Sequence, residues 1–304
     1  MPPHPQRRAS TVRRPVEQVS FGEDGVARRT RADALATEEP LEIRVVRADG
    51  LRGGVVCDGA ATRVAVTMRT PGADFELAAG FLFAEGIVGA PEEVLAIRYC
   101  TEGEQNFNVV NVVLAPGAAW DPASLAARAF AVTSACGVCG KASIEDALGP
   151  ACPRIDSALA VTPEILLALP DRLRAAQAVF ERTGGLHAAA LFTAEGELVR
   201  LREDVGRHNA LDKLVGAALL AGELPLKDGV VLASGRLSFE LAQKAARAGV
   251  PVLAGVSAPS SLAVELAESV GMTLAGFVRG SRFNVYTGGT RIAAAPLQTM
   301  GRGG

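Results

Sequence analysis

The stretch VVLASGRLSFELAQKAARAGVPVLAGVSAPSSLAVELAESVGMTLAGFV, residues 230–278, decides the fold. Three short apolar runs, at 230–233, 252–255 and 273–278, are bounded by Gly, Ser and Pro and read as strands. Between them, 239–247 and 261–269 carry apolar residues at helical spacing. This alternation requires an α/β layer in which at least part of the sheet is parallel, because a strand followed by a crossover helix returns in the same direction.

Upstream, the pattern predicts a helix over 171–182, closed by Thr183-Gly184-Gly185, then strands at 187–193 and 198–202 around the Glu195-Gly196 turn, then a helix over 209–221. The first third reads as α+β. Strands are expected at 41–46, at 62–68 (Val64, Val66 and Met68 alternating with polar or small residues) and at 109–114. Asp74 is placed to cap a helix to Glu85 that carries Phe75, Ala78, Phe81 and Leu82 on one face, with Gly86 ending it. The expected organisation is an Arg/Pro-rich disordered arm over 1–36, an N-terminal α+β domain over 37–125, a second domain over 126–290 and a flexible tail over 291–304.

The 304 residues are 49% hydrophobic and 21% charged, enough apolar material for a substantial core, and a net charge of −2 gives no overall bias toward nucleic acid or anionic lipid. The charge is uneven: residues 1–31 hold seven Arg against Glu17, Glu23 and Asp24, a net +4, which leaves −6 for the remainder. No apolar run follows these arginines as a secretory signal would require, and none approaches the roughly 20 residues of a membrane span, so a cytoplasmic protein is expected. Cys57, Cys100 and Cys152 have no framework spacing and read as thiols in a reducing compartment.

The remaining two cysteines stand apart. Residues 134–143 read S-A-C-G-V-C-G-K-A-S, so Cys136 and Cys139 form a Cys-x-x-Cys pair with Gly137, Gly140 and Lys141 beside them. Such a pair can hold a metal, cycle between dithiol and disulfide, or present one nucleophilic thiolate. The flanking glycines, Lys141 and an expected short helix over 141–148 favour a thiolate of lowered pKa. Packing of a turn is the plainer alternative. Zinc is disfavoured: there is no second Cys-x-x-Cys, Ala188 and Ala189 follow His187, and Ala135 precedes Cys136, so the H-x-E and P-C-x-x-C pattern of zinc deaminases is absent.

Other segments could bind or catalyse. E-D-V-G-R-H-N-A-L-D-K, from Glu203, crowds Asp204, Arg207, His208 and Asn209 before a helix, where His208 could act as acid or base or bind an anion with Arg207. A capping turn with an Asp204–Arg207 ion pair is equally compatible. Ser234-Gly235-Arg236-Leu237-Ser238 joins a strand to a helix and suits a phosphate or carboxylate. F-V-R-G-S-R, from Phe277, brings two guanidinium groups around Gly280 at a strand end. His187, after Gly184-Gly185, is a further candidate.

Taken in order, S-A-C-G-V-C-G-K, R-T-G-G-L-H-A-A (from Arg182), R-E-D-V-G-R-H-N-A-L-D-K (from Arg202), S-G-R-L-S-F-E (from Ser234) and G-F-V-R-G-S-R-F-N-V-Y (from Gly276) resemble the FdhD family, the formate dehydrogenase accessory sulfurtransferases. E-E-P-L-E-I at Glu38 and M-R-T-P-G-A-D-F-E-L-A-A-G-F-L at Met68 extend the resemblance to about Glu38–Thr287. It implies a homodimeric sulfur carrier that takes persulfide sulfur from a cysteine desulfurase on Cys136. Delivery is to the molybdenum bis(molybdopterin guanine dinucleotide) cofactor before its insertion into formate dehydrogenase. It also implies a C-terminal domain of cytidine-deaminase-like fold, a mixed sheet flanked by helices and without zinc. The matching cofactor-binding segment is Phe277, Val278, Arg279, Gly280, Ser281 and Arg282; Arg236 and His208 are added as candidates from their turns, and Cys139 as the resolving thiol. The alternatives are a dithiol redox protein, since C-G-V-C-G-K is similar to a thioredoxin active site, and a non-enzymatic cofactor-binding chaperone.

Overall fold

The computed structural model describes residues 9–23, 25–48, 51–52, 55–56, 61–100, 107–118, 120 and 152–293. The chain is a mixed α/β protein in two units. The first comprises residues 1–150, 177–187 and 203–221; the second comprises 151–176, 188–202 and 222–304.

The second unit carries the decisive alternation. Strands β9 (His187–Phe192), β10 (Leu198–Asp204), β11 (Val230–Ala233), β12 (Val252–Gly255), β13 (Thr273–Arg279) and β14 (Arg282–Thr287) lie in the order β10-β9-β11-β12-β13-β14. The β11–β12 and β12–β13 pairs are parallel, as crossover helices at Phe239–Arg247 and Ser261–Val270 require; β9 and β14 run antiparallel to their inner neighbours. Both central strands are fully buried, with Val230, Leu232, Val252, Ala254, Ala275 and Val278 packed on Leu166, Leu169 and Leu173. Those three leucines sit on a helix at Pro163–Ala176 whose interior includes Pro170. The sequence reading begins this helix at Asp171; the buried leucine stripe starts earlier and runs straight across Pro170, although proline ordinarily interrupts a helix. Its continuation, Ala178–Thr183, is a separate helix in the first unit, where the Glu203 carboxylate accepts the N–H groups of Val179 and Phe180 at 3.1 and 2.8 Å.

In the first unit β3 (Glu39–Arg47) and β6 (Ala61–Arg69) join β7 (Val94–Tyr99) and β8 (Val109–Leu114) in the order β6-β3-β8-β7, with β3 parallel to β8. Helix α1, Asp74–Ala84, packs against the Arg207–Leu220 helix through facing glycines: a Cβ on Gly80 would land on the Asp212 carbonyl, and one on Gly216 on the Glu76 carbonyl. That contact places 203–221 with the N-terminal sheet, whereas the expected second domain takes in all of 126–290. The expected boundary at 125–126 lies outside the described residues, as do the 291–304 tail beyond residue 293 and the expected 141–148 helix.

Two expectations are corrected. Residues 11–36 are not disordered: β1 (Thr11–Gly22) and β2 (Gly25–Ala36) pair along their whole length as an antiparallel ribbon. Its Val and Thr residues and exposed arginines suit a solvated two-stranded ladder, a pattern hidden by the Pro and Arg content. Asp74 does not cap α1. Ala73 holds the cap position at φ 54°, and the Asp74 carboxylate turns back to accept the Gly72 N–H at 3.0 Å and the buried Arg69 guanidinium at 3.2 and 3.1 Å.

Candidate functional site

Cys136, Cys139 and Lys141 lie outside the described residues. The structure places the other candidates in two groups, one in each unit.

In the second unit the turns after the parallel strands are laced together. The Val256 N–H donates to Ala233 O at 3.3 Å, the Leu237 N–H to Ala258 O at 3.1 Å, the Ser260 N–H to Leu237 O at 2.9 Å, and the Phe277 N–H to Ser257 O at 3.1 Å. Turns 234–238 and 256–260 and the strand around Phe277 thus form one row at the carboxyl ends of β11, β12 and β13, the place where open α/β sheets receive ligands. Two helices begin in this row. Ser238 caps one by accepting the Leu241 N–H at 3.4 Å, and Ser260 caps the other by accepting the Ala263 N–H at 3.3 Å. Both turn the positive end of the helix dipole toward the same side.

Phe277 sits in this row at φ 55°, a left-handed conformation that costs a bulky side chain roughly 1–2 kcal/mol. The strain coincides with a register shift between Gly276 and Arg279 that lifts the strand out of regular pairing. Gly276 has no room for a side chain: a Cβ would stand 3.0 Å from Pro259 and Tyr286. Beyond the shift, Arg279 and Arg282 are cross-strand partners around the Gly280-Ser281 turn, with Gly280 at φ 59°. Both are exposed, and the Arg279 guanidinium lies 5.7 Å from the centre of the Phe277 ring. Like charges opposite one another in a ladder are unfavourable until an anion joins them. Val278 is fully buried in the core, so of the 277–282 segment it contributes packing and backbone only. Arg236 is exposed on the neighbouring turn.

In the first unit, Asp204 and the start of the Arg207–Leu220 helix form a buried network. Asp204 accepts from the Lys213 ammonium at 2.6 Å, the Thr70 N–H at 3.1 Å, the Gly206 N–H at 2.8 Å and the Asn209 amide at 3.0 Å. Asn209 also donates to Met68 O at 2.7 Å, and Lys213 to Thr70 O at 2.9 Å. The partner of Asp204 that the sequence reading considers, Arg207, is thus supplanted by Lys213. Arg207 and His208 occupy the first turn of this fixed helix, each half-buried. His187 titrates below its ordinary 6.5 because burial, and then the Arg207 charge, disfavour the imidazolium, while Asp204 pulls the other way. His187 and Arg207 therefore belong to one electrostatic group.

The sequence reading missed the Arg69 centre. This 1%-exposed guanidinium binds Asp74, Phe107 O at 3.2 Å and Asn108 at 3.1 Å and pairs with Glu39 at 3.5 Å; Tyr99 donates to Asp74 at 3.0 Å. Its signal was R-T-P-G-A-D itself, an Arg and an Asp on either side of a tight turn.

Residues 37–293 match the family model described as the FdhD/NarQ family. The protein named Sulfur carrier protein FdhD in Streptomyces avermitilis is 53% identical over 297 residues, covering 96% of this chain and 99% of its own. Its namesake in Mycobacterium tuberculosis is 52% identical over 272 residues, covering 86% of this chain and 93% of its own. A crystal structure provisionally described as a formate dehydrogenase accessory protein from Desulfotalea psychrophila superposes with a TM-score of 0.66 over 92% of this chain and 99% of that one, at 24% identity, a likeness of fold. By its family match and these identities over nearly full length, the chain belongs to the FdhD/NarQ family.

Proposed function

We propose that this protein is a sulfur carrier that serves formate dehydrogenase, using Cys136 to carry persulfide sulfur. The 53% identity to a named sulfur carrier over 96% of the chain, including the region of the cysteine pair, carries the reading. In the first step the Cys136 thiolate attacks the outer sulfur of a cysteine desulfurase persulfide. The donor S–S bond breaks, the desulfurase cysteine leaves as thiolate, and Cys136 holds a persulfide. In the second, the Cys139 thiolate attacks Sγ of Cys136, releasing hydrosulfide to the client and leaving a disulfide that a thiol reductant returns to dithiol.

The client is the molybdenum bis(molybdopterin guanine dinucleotide), here a substrate. The facing Arg279 and Arg282, the strained Phe277 and the paired helix starts supply cations, an aromatic face and N–H dipoles for a guanine dinucleotide. Arg236, exposed on the neighbouring turn of the same unit, adds a third cation. A cytoplasmic assembly of two copies, with the second unit of the cytidine-deaminase-like class, is part of this reading. The missing H-x-E and P-C-x-x-C residues support a fold that works without zinc.

Intact-protein mass spectrometry after incubation with a cysteine desulfurase and cysteine tests the carrier role. One added sulfur on wild type and none on Cys136→Ala is expected. No adduct on either would favour the dithiol redox or the chaperone alternative.

A further inference from the structure

The β1–β2 ribbon lies outside the family match, which begins at residue 37. It pairs through twelve residues of each strand, from Thr11↔Ala36 to Gly22↔Gly25. The Thr37 N–H donates to Ser10 O at 2.9 Å and closes the base of the ladder, and β2 packs on the Ala178–Thr183 helix of the first unit. Most of both strands is exposed. An isolated two-stranded ribbon is marginal in water, so one this long needs a surface to lie on.

The ribbon has a sided tip. Phe21 and Val26 are cross-strand partners, 83% and 59% exposed, and Val19 follows them on the same face at 39%. Arginines line the stem, with Arg28 held to Glu17 at 2.8 Å and Arg31 to Asp33 at 3.2 Å. By sequence the ribbon, residues 11–36, holds five Arg against Glu17, Glu23, Asp24 and Asp33, a net +1, whereas residues 37–304 carry −5, so the body of another copy is an electrostatic complement to it. Size favours the same occupant. At about 3.3 Å per residue the ribbon is roughly 40 Å long, and at about 10 Å wide one face offers on the order of 400 Å². A single such contact buries about 800 Å² in total, at the level of lattice contacts, whereas a reciprocal exchange buries about 1,600 Å², the size of a stable interface.

We propose that the ribbon is an exchange arm: in a two-fold pair each copy lays its ribbon on the acidic body of the other, with Val19, Phe21 and Val26 as the apolar anchor. This rests on the two-copy reading above and adds the device that holds the copies. The experiment uses the full chain. Sedimentation velocity compares wild type with Phe21→Glu/Val26→Glu, whose exposed positions leave the fold intact. A photoreactive benzophenone side chain replacing Phe21 is activated in a mixture of ¹⁵N-labelled and unlabelled chains. Expected are a wild-type dimer, a dissociation constant raised by about tenfold or more in the double variant, and adducts joining labelled to unlabelled chains at acidic peptides. A dimer in both proteins without inter-copy adducts would overturn the exchange arm alone. A wild-type monomer at every concentration would overturn the two-copy reading with it.

Discussion

The ammonium of Lys213 meets the carboxylate of Asp204 at 2.6 Å with both side chains almost wholly buried. Three N–H donors complete the carboxylate's shell, from Thr70, Gly206 and Asn209, so this is a hydrogen-bonded pair and not an isolated charge couple. Removing one partner strands the other. Lys213→Met should lower stability by about 3–5 kcal/mol, and adding Asp204→Asn should recover part of that loss. Urea denaturation of the two single variants and the double variant measures the coupling; strictly additive losses would refute it.

Gly80 and Gly216 allow α1 and the Arg207–Leu220 helix to touch backbone to backbone. Either Gly→Ala change drives a methyl into a carbonyl of the facing helix. Each should cost about 3 kcal/mol or more, although alanine is intrinsically the better helix former. Thermal unfolding distinguishes these outcomes, since propensity alone would raise the melting temperature.

Phe277 separates stability from binding. Phe277→Gly removes ring packing but relieves a left-handed strain of roughly 1–2 kcal/mol, so stability should stay within about 1 kcal/mol of wild type. If the ring stacks on guanine, affinity for guanosine diphosphate should fall by about tenfold in the same variant. Calorimetric titration of nucleotide into both proteins gives the comparison. Unchanged affinity would remove Phe277 from the proposed site, and Arg279→Ala/Arg282→Ala would then test the cations alone.

His187 should give the fold a pH dependence. Its folded pKa lies below 6.5, so the unfolded chain takes up the proton first as pH falls. The contribution of neutral His187 is fully present above 6.5 and is lost progressively as pH drops from 6.5 toward the folded pKa. Urea midpoints of wild type minus His187→Gln, followed downward from neutral pH, should show a declining difference. A difference independent of pH would mean that the imidazole is not perturbed in this way.

The strands and helices of the second unit were legible because their boundaries are set locally, by glycines, capping serines and apolar period; Val230–Ala233, Phe239–Arg247 and Val252–Gly255 fall where the pattern puts them. The strand Arg282–Thr287 was not. It alternates weakly, and its existence depends on pairing with β13 across the Gly280-Ser281 turn. The ribbon was missed for a related reason: a ladder that buries almost nothing leaves little hydrophobic signature. The arginines of 277–282 were singled out by residue type, whereas the strain at Phe277 is a backbone property that no residue type announces. Sequence proximity offered Arg207 as one possible partner for Asp204, while helix geometry delivers Lys213 to the carboxylate.

The chain passes between its two units five times, at 150/151, 176/177, 187/188, 202/203 and 221/222. The first unit cannot close until the helix bearing Gly216 has left the ribosome, because α1 waits for it from residue 80 onward. Neither unit therefore exists as a gene fragment that could be expressed, exchanged or inherited alone. A cell that translates this message therefore makes the first unit whole only after residue 221, when most of the chain has already been synthesised.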